Sequence, residues 1–213
     1  MAYDVILFDL DGTVIDSLDG IMHALEVCFA HAGLPPVTRE QFLPFVGPPI
    51  IDTLQQHFGL SLAEAQAAME AYHSYYRVDG WKECVLYDGV KELFAALCAK
   101  GKRLGLATNK PRHYALDILK DKGVDQYFAY IGGADVAKGI TNKQKVVEDC
   151  LRQLQVTAKE AVMIGDRKFD VEGAKGAGVS TIGVTYGYGS RKELLEAGAV
   201  AVVDWPKEVL KLI

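Results

Sequence analysis

The stretch Phe8-Asp9-Leu10-Asp11-Gly12-Thr13 constrains this chain most, because it sets two carboxylates one residue apart where an apolar run stops. That run, Val5-Ile6-Leu7-Phe8, is apolar at every position, as a parallel strand covered on both faces must be. Alternate residues of a strand point to one side, so Asp9 and Asp11 leave its end together while Leu10 turns away. Gly12 then permits a sharp exit that brings backbone close to a ligand. Two anions so close repel, and a hard cation with oxygen ligands, magnesium before calcium, relieves the repulsion. Asp-Gly after a hydrophobic run is also the mark of a hairpin turn, which would explain this stretch taken alone. A calcium loop of EF-hand type fails, since it needs an acidic or amide residue at 13, glycine at 14 and Glu at 20, where the chain has Thr13, Val14 and Gly20.

The remainder of the chain decides between these readings. From 17 to 84 the sequence offers helices and no convincing strand: 17–31, a short helix opened by the capping box Thr38-Arg39-Glu40-Gln41, another reaching Phe58, and one from Leu62 to about 77 opened by Ser61 and Glu64. From Leu86 onward helices and strands alternate. Helices are expected over 90–100, 112–122, 143–153, 169–177 and 192–197, and strands over 103–107, 129–131, 161–164, 181–184 and 199–203. Such alternation implies βαβ units and a parallel sheet. The expected fold is therefore α/β, a Rossmann-like parallel sheet flanked by helices, formed by residues 1–16 and 85–213. Residues 17–84 form a helical cap domain inserted after the first strand.

Composition narrows the partners. A formal net charge of -5 gives no basic field for a nucleic-acid polymer, and no apolar run approaches the length of a membrane span. Cys28, Cys84, Cys98 and Cys150 are scattered without CxxC or His-Cys spacing, which reads as a reduced, cytoplasmic protein; the thiols on helices, Cys28, Cys98 and Cys150, read as core fillers. A monomer and a homodimer are equally compatible with the sequence.

Several of the expected strands finish in polar residues: Asp9 and Asp11, then Thr108 and Asn109, then Gly165 and Asp166. In open parallel sheets ligands bind at the carboxyl ends of the strands, so these positions converge on one crevice by topology. Thr108-Asn109 offers a hydroxyl, an amide and N–H groups for a phosphate, or else caps the helix that follows. Gly165-Asp166-Arg167-Lys168-Phe169-Asp170 adds carboxylates for magnesium, or else an N-cap with Asp170 in the first turn. A phosphate also calls for a fixed cation. Lys143, placed by the cap Thr141-Asn142 at the mouth end of its helix, is preferred over Lys138 and Lys145, because a lysine in a first turn opposes the helix dipole unless it has an anion to bind.

Together these residues resemble the haloacid dehalogenase superfamily of phosphotransferases. Asp9-Leu10-Asp11-Gly12-Thr13 looks like its first motif, Thr108-Asn109 its second, Lys143 its third, and Gly165-Asp166-Arg167 with Asp170 its fourth. The segment Phe45-Val46-Gly47-Pro48-Pro49 and the stretch from Tyr72 to Tyr76 look like the cap of the phosphoglycolate-phosphatase-like branch. Gln144 departs from the Lys-Pro that this branch often carries at the third motif. The resemblance implies a magnesium-dependent phosphatase acting on a small phosphorylated metabolite. Asp9 would be the nucleophile and Asp11 the general acid and base. Asp9, Asp166 and the main-chain carbonyl of Asp11 would hold Mg2+, Thr108, Asn109 and Lys143 the phosphate, with Gly12, Thr13, Gly165 and Asp170 in support. Gly47 enters the cleft as a cap substrate loop, or its segment is only an inter-helix turn. The resemblance puts 2-phosphoglycolate first as substrate; a 5'-nucleotidase or pyrophosphatase of the same family, or a sugar phosphomutase using the same phosphoenzyme, are the alternatives, and a non-catalytic binding module comes last.

Overall fold

The computed structural model describes residues 3–42 and 50–213. The expected substrate loop at Gly47 lies outside the described residues. In chain order, β1 (Val5–Phe8) and β2 (Ile15–Asp16) lead into α1 (Leu18–His31), α2 (Arg39–Phe42), α3 (Ile50–Phe58) and α4 (Leu62–Tyr76). There follow β3 (Val85–Leu86), α5 (Val90–Ala99), β4 (Arg103–Pro111), α6 (Arg112–Asp121), β5 (Phe128–Ala134) and α7 (Lys143–Leu154). The chain ends with β6 (Ala161–Gly165), α8 (Lys168–Gly176), β7 (Ser180–Val184), α9 (Arg191–Ala197), β8 (Ala201–Val203) and α10 (Pro206–Val209).

Two compact units result, Met1–Asp16 with Val85–Ile213, and Ser17–Cys84. The first is an α/β unit around a six-stranded sheet ordered β5-β4-β1-β6-β7-β8, in which every pairing is parallel. β1 is central and buried at all four positions, which is why its sequence carries no polar alternation. Its neighbours come from far along the chain: Phe8 pairs with Leu106 on one side and Ile164 on the other. After β1 the chain builds outward through β4 and β5, then returns to the other side of β1 with β6. Ligands of open α/β sheets bind at such a reversal of strand order. Helix α7 covers one face through Val146, Val147, Cys150 and Leu154, packed with Val5, Leu7, Ala107 and Met163. Elsewhere in the core Phe94 of α5 meets Phe8 edge-on at 5.0 Å between ring centroids.

The second unit has helices and no strand among its described residues. Its α1 buries Leu18, Ile21, Ala24, Leu25, Cys28 and Phe29, and its α4 buries Ala65, Ala68, Tyr72 and Tyr76. Both capping boxes form: Thr38 and Gln41 exchange side-chain and backbone hydrogen bonds, as do Ser61 and Glu64.

Three local expectations change. Strand β4 runs past Ala107 to Pro111, because a register shift against β5 lets Pro111 pair with Ala134. Thr108 and Asn109 thus belong to the strand; the N-cap of α6 is Pro111, so neither residue caps that helix. Ile15–Asp16 and Val85–Leu86, absent from the expected strands, form an antiparallel ribbon of β2 and β3, whose two residues each are too short to carry a strand pattern. All four cysteines are free, yet Cys98 is exposed and so fills no core, unlike Cys28 and Cys150.

Candidate active site

Beyond Phe8 the chain folds into one tight turn, in which the Leu10 carbonyl accepts N–H groups from Thr13, Val14 and Ile15. Leu10 is buried beneath it, so the flanking carboxylates face outward from the strand end. Gly12 sits at φ +83°, and a Cβ there would fall 2.2 Å from Asp166 Oδ2. Only glycine gives this turn both its left-handed backbone and its proximity to that carboxylate.

The ends of β1 and β6 and the first turns of α7 and α8 meet in a buried cluster. Ligand oxygens of Asp9, Asp166 and Asp170 all lie within 4.8 Å of one another. Lys143 Nζ donates to Asp9 Oδ1 at 2.6 Å and to the Ala107 carbonyl at 3.0 Å, and pairs with Asp170 Oδ1 at 2.7 Å. These contacts match the three N–H donors of an ammonium one for one. Asn142 caps α7 by accepting from Lys145 N, which starts the helix at Lys143. Lys138 and Lys145 go elsewhere, to Asp135 and to the Gly139 carbonyl. At the head of α8, Asp170 Oδ2 accepts from Arg167 N at 3.0 Å while its other oxygen faces Lys143. Asp170 therefore ties two helix starts together, and Asp166 itself caps neither. Gly165 makes room for this, since a Cβ there would lie 2.4 Å from Asp170 Cβ.

Asp166 is fully buried and held at both oxygens, Oδ1 by the Thr13 hydroxyl at 3.1 Å and Oδ2 by Tyr188 N at 2.8 Å. Thr108 is buried at the end of β4, and its Oγ1 accepts from Lys110 N at 3.1 Å. Asn109 is exposed, apart from the buried set. The Asp11 carboxylate is also outside the three-carboxylate cluster: Lys110 Nζ donates to its Oδ1 at 2.8 Å and to its Oδ2 at 2.9 Å. Asp170 is thus the third clustered carboxylate.

Burial pushes Asp9 up to about 7, since Asp170 and Asp11 add repulsion while Lys143 counteracts them. Asp166 rises for the same first reason, burial, with Asp170 and Asp9 adding to it. Burial alone would lower Lys143, but Asp170 and Asp9 outweigh it and hold the ammonium above the ordinary lysine value. All three shifts mean that the cluster holds protons more tightly than its members do in water, so it is short of positive charge. Three carboxylates against one ammonium leave two negative charges unmatched among hard oxygen donors. A divalent cation of the magnesium type fits that donor set and that deficit. The hydrogen bonds from Thr13 and Tyr188 orient Asp166 as partners of a metal-ligating carboxylate do.

Lys110 and Tyr188 had no place in the sequence reading, though each had a signal. Lys110 lies two residues after Thr108, the spacing that returns a strand residue to the same side. Tyr188 sits in Thr185-Tyr-Gly-Tyr-Gly-Ser190, a glycine-rich segment after the carboxyl end of β7. There Tyr186 donates its hydroxyl to the Thr13 carbonyl and Tyr188 its hydroxyl to Asp16 Oδ1, so the segment braces the first motif as well as Asp166.

A parallel α/β sheet with acidic strand ends and a lysine-bridged carboxylate cluster defines a class of phosphate-handling hydrolases. Residues 6–184 match the family model described as haloacid dehalogenase-like hydrolase. A 5'-nucleotidase of Pseudomonas aeruginosa is 36% identical over 91% of this chain and 88% of its own length. A phosphoglycolate phosphatase of Vibrio parahaemolyticus is 31% identical, covering 98% of this chain and 95% of that protein. The crystal structure of a predicted phosphatase from Clostridium acetobutylicum superposes with a TM-score of 0.93 at 32% identity, covering 100% of this chain and 98% of that one. The chain belongs to the haloacid dehalogenase-like hydrolase family, and within it is a phosphatase.

Proposed function

We propose that this phosphatase hydrolyses a small phosphate monoester through an aspartyl phosphate on Asp9. The observation that carries the proposal is the contact of Asp9 Oδ1 with Lys143 Nζ at 2.6 Å inside the buried cluster, which puts a fixed cation beside the attacking group. A carboxylate is a weak nucleophile toward an anion, so the neighbouring positive charge decides whether attack is feasible. In the first step an Asp9 oxygen bonds to phosphorus and the ester P–O bond breaks. Asp11 protonates the departing alkoxide. In the second step Asp11 takes a proton from water, the water oxygen bonds to phosphorus, and phosphate leaves Asp9. Thr108, with its hydroxyl buried at the end of β4, and Lys143 are assigned to the non-bridging phosphoryl oxygens. Asp9, Asp166 and the main-chain carbonyl of Asp11 are assigned as ligands of Mg2+, with Asp170 beside them. Bound there, the ion would supply electrostatic stabilisation of the charge that develops on the phosphoryl group.

The first candidate substrate is 2-phosphoglycolate, which is what the Vibrio relative's name indicates for that protein. A nucleoside 5'-monophosphate is the second, favoured by the higher identity, 36%, of the relative named 5'-nucleotidase. Selection among them is assigned to the helical unit acting as a cap, with Gly47 the proposed substrate-loop position. The test is phosphate release with Mg2+ from both compounds, from pyrophosphate and from a sugar phosphate, followed by borohydride trapping of the acyl phosphate. Homoserine at position 9 is expected. Turnover without modification at Asp9 would refute the nucleophile assignment, and isomer formation without free phosphate would replace the phosphatase reaction by a mutase.

A further inference from the structure

The Lys110–Asp11 pair is built unlike the ion pairs on the surface of the molecule. Its side chains are 8% and 18% exposed, against 46% and 74% for Arg39 and Asp19 or 83% and 67% for Lys192 and Glu196. Pairs of the exposed kind contribute little, because water and salt screen them. Burying a lysine costs considerably more, and the cost is met only where good geometry returns it. Here Nζ stands nearly equidistant from the two carboxylate oxygens, at 2.8 and 2.9 Å.

We infer that Lys110 is the positioning residue of Asp11, holding its carboxylate in the one orientation in which it exchanges a proton with the leaving group and with water. The inference rests on the proton-transfer role proposed above for Asp11. Asp11 lies in a turn whose backbone is fixed, with Gly12 N donating to the Ile15 carbonyl at 2.8 Å, but its side chain keeps two free torsions unless something holds it. An ammonium that engages both oxygens fixes the plane of the carboxylate. Lys110 is itself anchored at its backbone, where its N–H donates to the Thr108 hydroxyl oxygen. The end of β4 thereby contributes to both halves of the site, a phosphate-binding hydroxyl at 108 and a brace on the proton-transfer group at 110. The two site lysines divide the work: Lys143 serves Asp9 and Asp170, and Lys110 serves Asp11. Misplacing a reacting group by an ångström can cost about 10²-fold in rate, so such a brace is of catalytic size.

The test compares Lys110→Met in the otherwise unchanged enzyme with Lys110→Met in an Asp11→Asn background, using saturating Mg2+ and the substrate that turns over best. The single substitution should lower kcat by about 10- to 100-fold and leave KM within about threefold, since it disturbs proton transfer and not substrate capture. In the Asp11→Asn background the same substitution should cost less than about twofold, because the group it positions has already lost its function. Lys110→Arg, which keeps a cation able to engage both oxygens, should recover at least a third of kcat. A full loss repeated on top of Asp11→Asn, or equal losses in the Arg and Met variants, would make Lys110 a brace of the fold and overturn the inference. Unchanged kcat in Lys110→Met would overturn it directly. Full activity in Asp11→Asn alone would instead refute the role of Asp11, a separate failure read from a separate variant.

Discussion

The two units treat charge in opposite ways. Among the described residues, every buried charged side chain lies in the α/β unit: Asp9, Lys143, Asp149, Asp166, Arg167 and Asp170. Among the described residues of the helical unit no charged side chain is buried; Ser17 and Thr53 are, and ion pairs such as Arg39 with Asp19 are exposed. Burying a carboxylate costs several kcal/mol unless it is paired, so a fold keeps such a group only where something repays it. In the α/β unit that repayment comes from Lys143 and from the backbone and hydroxyl donors around Asp166 and Asp170. The contrast agrees with the proposal that places the chemistry at the sheet's carboxyl edge and assigns recognition to the helical unit.

The strongest way to break this contrast is Asp9→Asn, which should reduce kcat by at least about 10⁴-fold while the melting temperature stays unchanged or rises, because one buried charge is removed. Chelation with EDTA should reduce activity of the unaltered enzyme to a comparable background, with recovery on adding Mg2+. Residual turnover within tenfold of the starting rate in either experiment would detach the reaction from the cluster. Next in size is Lys143→Met, which leaves the carboxylates uncompensated. It should cost about 3–5 kcal/mol in unfolding free energy in chelated protein, measured by denaturant titration, and should abolish turnover as well. A stability within about 1 kcal/mol of the parent would show that the cluster does not depend on that ammonium.

Gly12→Ala sharpens the comparison within the α/β unit. Its backbone at φ +83° and the 2.2 Å approach to Asp166 Oδ2 predict a loss of about 1–3 kcal/mol from backbone strain, with activity falling further as Asp166 is displaced. The smallest effect belongs to the helical unit. His23 Nδ1 contacts Glu83 Oε2 at 2.6 Å, and this hydrogen bond raises the imidazole above its usual 6.5. A raised folded-state value means that the stabilisation is complete below 6.5 and disappears as pH climbs through the folded-state value. The group is half exposed, so screening limits the contribution to about 0.2–1 kcal/mol. Melting His23→Gln beside the parent should show that deficit at pH 5.5 and none at pH 9. An equal deficit at both would assign it to lost packing.

Much of this was legible in the residues, and what was not has a physical pattern. Asp9, Asp166 and Lys143 could be found because each follows a strong local signal, a buried strand end or a cap such as Asn142, and local signals survive in a linear chain. Asp170 was visible as a first-turn acid but only as support, since its equal standing in the cluster depends on Lys143 crossing from another helix. The length of β4 escaped because its last pairing, Pro111 with Ala134, lies beyond a register shift. The ribbon of β2 and β3 escaped because two-residue strands have no period to read.

By itself the sequence determined the α/β class, the helical insertion and the strand ends that carry acids, because periodicity, caps and glycines act within a few residues of where they are written. Tertiary structure alone decided which charge faces which: Lys143 reaches Asp9 across 134 positions, Lys110 reaches Asp11 across 99, and Tyr188 closes on Asp166. The reason is that pairing energies are set by distances of a few ångströms in a low-dielectric interior, and those distances exist only after the parallel sheet has brought remote strand ends side by side.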